Sequence, residues 1–258
     1  MSQISAVIIT YNEEKLIGRC LESLHGIADE IVVVDSFSTD KTVEICTRPG
    51  VRLVKHSFEG YIEQKNWALQ QASNKWVLSI DADEEVSKEL RNSILEVKDN
   101  LNCDGYYLNR RNCYCGTWIK FSGLYPEKHL RLFNSGKGRW AGLNPHDKFV
   151  PDRGTTILRL HGDLLHQYCN SYDDHREKMK TFSSIASQSY LAAGRKAGML
   201  TAPVHAGWSF IRSFILRGGF LDGYAGYKIC SICAWGTWLK YRKLSILLKE
   251  KKAGGVDV

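Results

Sequence analysis

No stretch of this sequence approaches the ~20 uninterrupted apolar residues that a membrane-spanning helix requires. The opening residues, MSQISAVIITYNEE, carry no basic n-region and no small-residue cleavage site. They read as a first strand rather than a signal peptide. Neither GxGxxG nor a GxxxxGKS or GxxxxGKT loop follows that strand, so the usual backbone cradles for dinucleotides and triphosphates are missing. No internal repeat and no low-complexity tract interrupts the chain. Cysteine is not scarce, but it lacks zinc-ligand spacing. Cys230 and Cys233 form a CxxC and Cys113 and Cys115 a CxC, more than a hundred residues apart, while Cys20, Cys46, Cys103 and Cys169 stand alone. Free thiols in a reducing compartment are the expectation.

What is present is enough for an ordinary core. The 258 residues are 43% hydrophobic and 24% charged, which suits one large α/β domain, or one domain with an appendage. Charge is unevenly placed. The chain carries +7 overall, yet Gly194 to Lys252 holds eleven Lys or Arg against two acids, Asp222 and Glu250, so that segment is +9 and the remainder 7 − 9 = −2. A nearly neutral body with a basic, aromatic-rich tail suggests a polyanionic partner, nucleic acid or anionic lipid.

The runs ISAVIIT (4–10), EIVVVD (30–35), VRLVK (51–55) and the stretch 76–81 read as buried strands. Helical patterns separate them: one from Asn12 through Leu24, a short one capped by Thr39 or Asp40, one over 61–72, and one capped by Ser87 and running to about Val97. This alternation predicts a mostly parallel, Rossmann-like sheet with helices on both faces and ligands at the strand C-terminal ends. After residue 104 shorter, aromatic-rich strands predict a mixed or antiparallel half. Helices are expected over 172–192, 203–217 and 220–243, the last broken by Gly223 and Gly226. The expected division is 1–193 for the main domain, with halves 1–100 and 101–193, and 194–258 for a basic helical tail.

Four short stretches fall at the predicted rim: TYNEE (10–14), VVDSFSTD (33–40), EQKNWAL (63–69) and IDADEE (80–85). Together, in this order and spacing, they resemble the family 2 glycosyltransferases of the GT-A fold. The resemblance implies an inverting, metal-dependent hexosyltransferase that uses a nucleotide-diphosphate sugar, UDP-linked by expectation. Thr10 would then belong to the donor site, with Tyr11 against the nucleotide base, Glu13 against the ribose, and Asp35 against the base. Lys65, where the family often has Arg, would reach the base or phosphates as a point charge. Read without the resemblance, Tyr11 and Glu13 are a turn aromatic and a first-turn acid, and Asp35 a capping acid.

Asp81 and Asp83 form a DxD, whose i, i+2 spacing on an extended segment points both side chains the same way. By resemblance the two acids serve a Mg2+ or Mn2+ ion, Asp83 directly and Asp81 through the ribose or a metal-bound water, with His166 as a further metal ligand or a structural histidine. Such an ion stabilises charge on a diphosphate leaving group. Glu84 and Glu85 are expected to open the next helix, where the dipole favours acids. An inverting transfer also needs a carboxylate to deprotonate the acceptor hydroxyl. GRWAGLNPHDKFV (138–150) resembles the family segment with a His-acid pair, which makes Asp147 the candidate base, Glu127 its rival, and His146 a neighbour that orients the acceptor or reaches the metal. Arg131 and Trp140 are candidates to line the pocket.

The whole chain is similar to a bacterial subfamily that builds lipopolysaccharide core or related envelope glycans, through ADEIVVVDSFSTDKT (28–42), the His146–Asp147 pair, SYDDHREKMKTFS (171–183) and FILRGGFLDGYAGY (214–227). Phe37 replaces a frequent Gly, and Asp147 a frequent Glu. The resemblance implies glucose as donor sugar, a lipid-linked saccharide acceptor, and a cytoplasmic enzyme peripheral to the inner face of the bacterial inner membrane. The tail would serve an anionic membrane surface or a contact with a second copy; no nucleic acid is expected. The alternatives are a basic nucleic-acid-binding protein, which leaves the acidic rim unexplained, and a non-catalytic scaffold of the same fold.

Overall fold

In the computed structural model, which describes residues 2–144 and 146–253, the β-branched runs become β1 (Ile4–Thr10), β2 (Glu30–Asp35), β3 (Val51–Lys55) and β4 (Trp76–Asp81). All four are parallel, in the order β3-β2-β1-β4. Apolar side chains leave β1 on both faces. Ile4, Ala6 and Ile8 join one core cluster, with Leu21, Leu24, Leu90 and Ile94, while Val7 joins Val32, Val77, Trp140 and Phe149 in the other. Each fully buried Val, Ile or Leu is worth roughly 1.5–3 kcal/mol, which is why these short runs behave as strands despite their length.

The sheet continues with strands of mixed direction. β5 (Glu84–Val86), β6 (Gly105–Tyr114), β7 (Thr117–Trp118), β8 (Glu127–Asn134) and β11 (Ile157–Cys169) extend it in the order β4-β8-β6-β11-β5, with β7 on β6. β8 is antiparallel to both β4 and β6. β9 (Gly138–Leu143) and β10 (His146–Pro151) form a separate two-stranded ribbon.

Around the parallel strands lie α1 (Ile17–Ser23), α2 (Thr42–Cys46), α3 (Tyr61–Gln70) and α4 (Lys88–Lys98). α1 starts five residues later than the sequence pattern suggests. Asn12 takes a left-handed φ of 53°, and its backbone N–H and side-chain oxygen are bonded to Ser38 and Thr39 instead. The pattern's second error is at Glu84 and Glu85. They do not open a helix but form β5, antiparallel to Leu164–His166. The helix waits for Ser87, whose hydroxyl accepts from the Leu90 N–H at 3.2 Å.

The chain divides into two compact units. One comprises the residues up to Arg111 with Pro126–Gly142 and Asp147–Gln167; the other comprises Asn112–Tyr125, Leu143–His146 and everything from Tyr168 onward. The second unit contains α5 (Tyr172–Ala192), α6 (Thr201–Phe210) and α7 (Gly223–Ala253). A π-helical stretch (Ile211–Leu216) and a 3-10 turn (Gly219–Asp222) join α6 to α7. Of the two glycines expected to break the last helix, Gly223 stands at φ 61° where the 3-10 turn ends and α7 begins, whereas Gly226 interrupts nothing: α7 runs 31 residues from Gly223 to Ala253. A Cβ on Gly226 would lie 1.9 Å from the Gly219 carbonyl oxygen, and one on Gly236 would lie 2.8 Å from the Met179 sulfur. These glycines admit neighbours rather than unwind the helix. All eight cysteines are free.

Two glycines of this unit therefore respond oppositely to alanine. Gly226→Ala forces a carbonyl away and lowers stability by about 1–3 kcal/mol. Gly207→Ala, inside α6 with nothing within 4 Å of its new methyl, raises stability by about 0.5–1 kcal/mol. Thermal melts of the two variants read the signs directly.

Candidate functional site

Parallel register brings the rim together. Thr10 lies opposite Asp35 across β1 and β2, and Ile9 opposite Asp81 across β1 and β4. The strand order reverses direction of growth at β1, and in open α/β sheets ligands sit outside the strand ends at such a point. Two loops there are sewn to each other. Asn12 N–H donates to Ser38 Oγ at 2.9 Å, Thr39 N–H to Asn12 Oδ1 at 2.7 Å, Glu13 N–H to Thr42 Oγ1 at 2.7 Å and Glu14 N–H to Asp40 Oδ2 at 3.1 Å. Asp35 is fully buried and accepts the Ser38 N–H and hydroxyl. Here it shapes its own turn, with Phe37 at φ 61° beside it. Tyr11 is left 57% exposed, an aromatic face open at the rim.

Below the rim runs a chain of alternating charge. Lys65 Nζ stands 2.8 Å from Asp147 and 3.0 Å from Asp81, with Trp140 under it at 4.5 Å. Arg131 Nη2 donates to the other Asp81 oxygen at 2.5 Å and to Glu84 at 3.1 Å. Glu84 also accepts the Asp81 N–H at 3.0 Å and faces Arg110 at 3.6 Å. Arg110 in turn donates twice to Glu127, which pairs with His129 at 3.2 Å. The side chains of Arg131 and Glu84 are 3% and 0% exposed. Ions this dry are tolerable only when compensated. Burial alone would raise the Asp81 carboxyl, but Arg131 and then Lys65 outweigh it and hold it well below the usual carboxylate range. Glu127 is likewise pulled well down, against its burial, by His129 and Arg110.

The acids of the DxD have different partners. A turn at Ala82–Asp83 ends the extended segment, so the same-face spacing does not carry past Asp81. Asp83 Oδ2 meets His166 Nε2 at 3.1 Å, with β5 lying beside β11 at His166. Two ligands at right angles on a divalent ion with bonds of about 2.1 Å stand roughly 3 Å apart, so this pair fits two neighbouring donors. Among the described residues no group of three His, Cys, Asp or Glu could hold a metal. The donor set suits an ion that takes few protein ligands and completes its shell with water and substrate phosphate.

Several contributors escaped the sequence pattern. Arg110 and Glu84 carry the middle of the ion chain. Tyr61 has its hydroxyl pushed up to about 12 by burial and then by the negative charge of Asp81, Asp147 and Asp83. Three buried polar groups of this region, Thr10 Oγ1, Trp140 Nε1 and Arg131 Nε and Nη1, have no hydrogen-bond partner. Such orphans are costly, and each calls for an explanation.

The family model of glycosyl transferase family 2 matches residues 5–155. An uncharacterized glycosyltransferase of Rickettsia typhi is 31% identical over 268 residues, across 100% of this chain and 92% of that protein. The lipopolysaccharide core biosynthesis glycosyltransferase LpsC of Rhizobium meliloti is 32% identical over 237 residues, across 87% of this chain and 85% of that protein. Among solved structures, the mannosyltransferase PcManGT of Pyrobaculum calidifontis, in complex with GDP-Man and Mn2+, aligns with 99% of this chain and 76% of that one at 17% identity and a TM-score of 0.49. The chain belongs to glycosyl transferase family 2. It is a glycosyltransferase, similar to the lipopolysaccharide core biosynthesis enzyme LpsC, and its mixed, partly parallel α/β sheet is of the kind the sequence pattern predicts.

The ion chain has a testable cost. Arg131→Met strands the Asp81 and Glu84 carboxylates and lowers unfolding free energy by about 3–5 kcal/mol. Glu85→Gln, which removes only the exposed pair with Arg19, changes it by less than about 1 kcal/mol. The pH dependence has a fixed sign. Asp81 and Glu127 titrate below their ordinary values of 3.8 and 4.5, so their contribution is present at neutral pH and lost as pH falls below that range. Denaturant unfolding against pH should show this acid-side loss in the parent and a shallower one in Arg131→Met.

Proposed function

We propose that the protein is an inverting, metal-dependent glycosyltransferase that moves a sugar from a nucleotide-diphosphate donor to a hydroxyl of a lipopolysaccharide core or related envelope glycan. Glucose and UDP are the donor components the sequence resemblance favours. The acceptor is lipid-linked, and the enzyme works peripherally at the cytoplasmic face of the inner membrane. The observation that carries this reading is Lys65, one ammonium group bound to both Asp81 and Asp147. It ties the donor-side acid to the candidate base through a single buried cation.

Tyr11 offers its ring to the base, Thr10 and Glu13 the adjoining polar contacts, and Asp35 a carboxylate that exchanges Ser38 for the base. Asp83 and His166 would hold Mg2+ or Mn2+, with Asp81 on the ribose or the metal's hydration shell. When bound, that ion neutralises charge on the departing diphosphate. Lys65 and Arg131 keep Asp81 ionised and stationary, and the unpaired Arg131 donors supply positive charge beside it. Asp147 takes the proton of the acceptor hydroxyl as the new bond forms from the face opposite the leaving group. The rival, Glu127, is pinned between Arg110 and His129 and held far below the range of an effective base. Asp147, one methylene shorter than glutamate, calls for an acceptor held close to the chain.

A thermal-shift panel of nucleotide-sugars with and without Mn2+ tests the donor half. A UDP-sugar should raise the melting temperature only with metal, and Asp83→Ala should abolish that rise; indifference to every nucleotide-sugar would sink the assignment. For the base, Asp147→Asn should keep donor binding and lose transfer by about 10²–10⁴-fold. Full transfer by Asp147→Asn would return the role to Glu127.

A further inference from the structure

The second unit carries an apolar surface that its own core does not use. Val204, Trp208, Ile211 and Ile215 recur at spacings of four, three and four along α6 and the stretch after it, and they are 64, 54, 44 and 54% exposed. Phe220 and Tyr224 continue the face around the corner at 53 and 63%. Phe210 and Phe214, on the same helical run, instead pack into the unit's core with Ile229 and Cys230. The run is therefore amphipathic with its second apolar side turned outward, which a protein without a partner there rarely displays.

The corner is firmly built, so the exposure is not a loose end. Asp222 accepts the backbone N–H groups of Lys120 and Phe121, both at 3.0 Å, Ser122 N–H donates to the Arg217 carbonyl, and Gly226 lets the 3-10 turn pack against α7. Its charge is of one sign. Residues 194–228 hold Arg195, Lys196, Arg212, Arg217 and Lys228 against one acid, Asp222, whose oxygens the two amides occupy. Two copies meeting through this face would bring like charges together, which disfavours self-association. Aromatic and aliphatic side chains flanked by cations suit an anionic lipid interface. No described helix is long and apolar enough to cross a membrane, so the face lies on the bilayer rather than in it.

We propose that the outward side of α6 and its following corner, from Val204 to Tyr224, is the surface by which the protein seats on an anionic bilayer. This rests on the lipid-linked acceptor of the proposed function and narrows the contact to one side of one helical run. The aromatic residues of α7, Trp235, Trp238 and Tyr241, are only partly exposed and are not part of it.

The experiment is flotation of the full chain with phosphatidylethanolamine–phosphatidylglycerol vesicles at low salt, with neutral phosphatidylcholine vesicles as control. The protein should float with the anionic vesicles only, and less so as salt rises. Trp208→Ser combined with Ile211→Ser should cut the vesicle-bound fraction by about tenfold. Its nucleotide-sugar thermal shift should stay unchanged and its fold cooperative, with at most a modest drop in melting temperature, since each side chain is about half exposed. A parent that stays out of the anionic vesicles, or a double variant that floats like the parent, overturns the proposal. So does sedimentation showing a parent dimer that the double variant dissociates, because the face would then be a self-contact. A chain that floats but responds to no nucleotide-sugar leaves the docking face standing and removes the transferase reading instead.

Discussion

Arg131 holds the acidic rim in place. Its Nη2 group serves Asp81 at the end of β4 and Glu84 in β5, residues separated from it by about half a hundred positions. Without it, a fully buried Glu84 and a mostly buried Asp81 would be left with Lys65 and the distant Arg110 as their nearest cations, and no ion pair links either cation to both. The constraint also explains β5. A helix-opening Glu84 would point its carboxylate at solvent and at the free N–H groups of a first turn. As a strand residue it accepts the Asp81 N–H and closes the pair with Arg131. Local preference for a helix start is worth fractions of a kcal/mol; leaving the buried Arg131 without its Glu84 partner would cost several. The larger quantity wins, and the helix begins three residues later at Ser87.

How far the sequence could be read follows the range of the interactions. The parallel strands were legible because their cause is local: runs of β-branched residues, buried on both faces, with the rim residues at their ends. Ser87 and α5 were legible for the same reason. What could not be read is whatever depends on a partner far along the chain. The late start of α1 depends on Asn12 meeting Ser38 and Thr39. The two acids of the DxD look alike in sequence, yet a turn between them sends one to Lys65 and Arg131 and the other to His166. Gly226 looks like a helix breaker until the Gly219 carbonyl comes close. Arg110 had no signal at all, since an arginine in an aromatic-rich strand is ordinary until Glu84 and Glu127 are placed on either side of it.

The two basic features of the chain are physically distinct. In the body, cations alternate with anions at 2.5–3.6 Å and cancel, leaving little field to attract a polyanion. In residues 194–228 the cations have almost no acids among them, and they border apolar side chains. A nucleic-acid surface needs exposed positive charge but gains nothing from an exposed aliphatic stripe. A lipid interface uses both.

The buried ion chain is not explained by stability. Replacing such groups by packed apolar residues is often neutral or favourable, so eight linked charged or titratable groups are a poor way to hold a sheet together. They do achieve something an apolar core cannot. Asp81 and Glu127 are held below the usual carboxylate range, and Asp81 is fixed beside Arg131. Fixed dipoles and charges need no reorganisation when a polar ligand arrives.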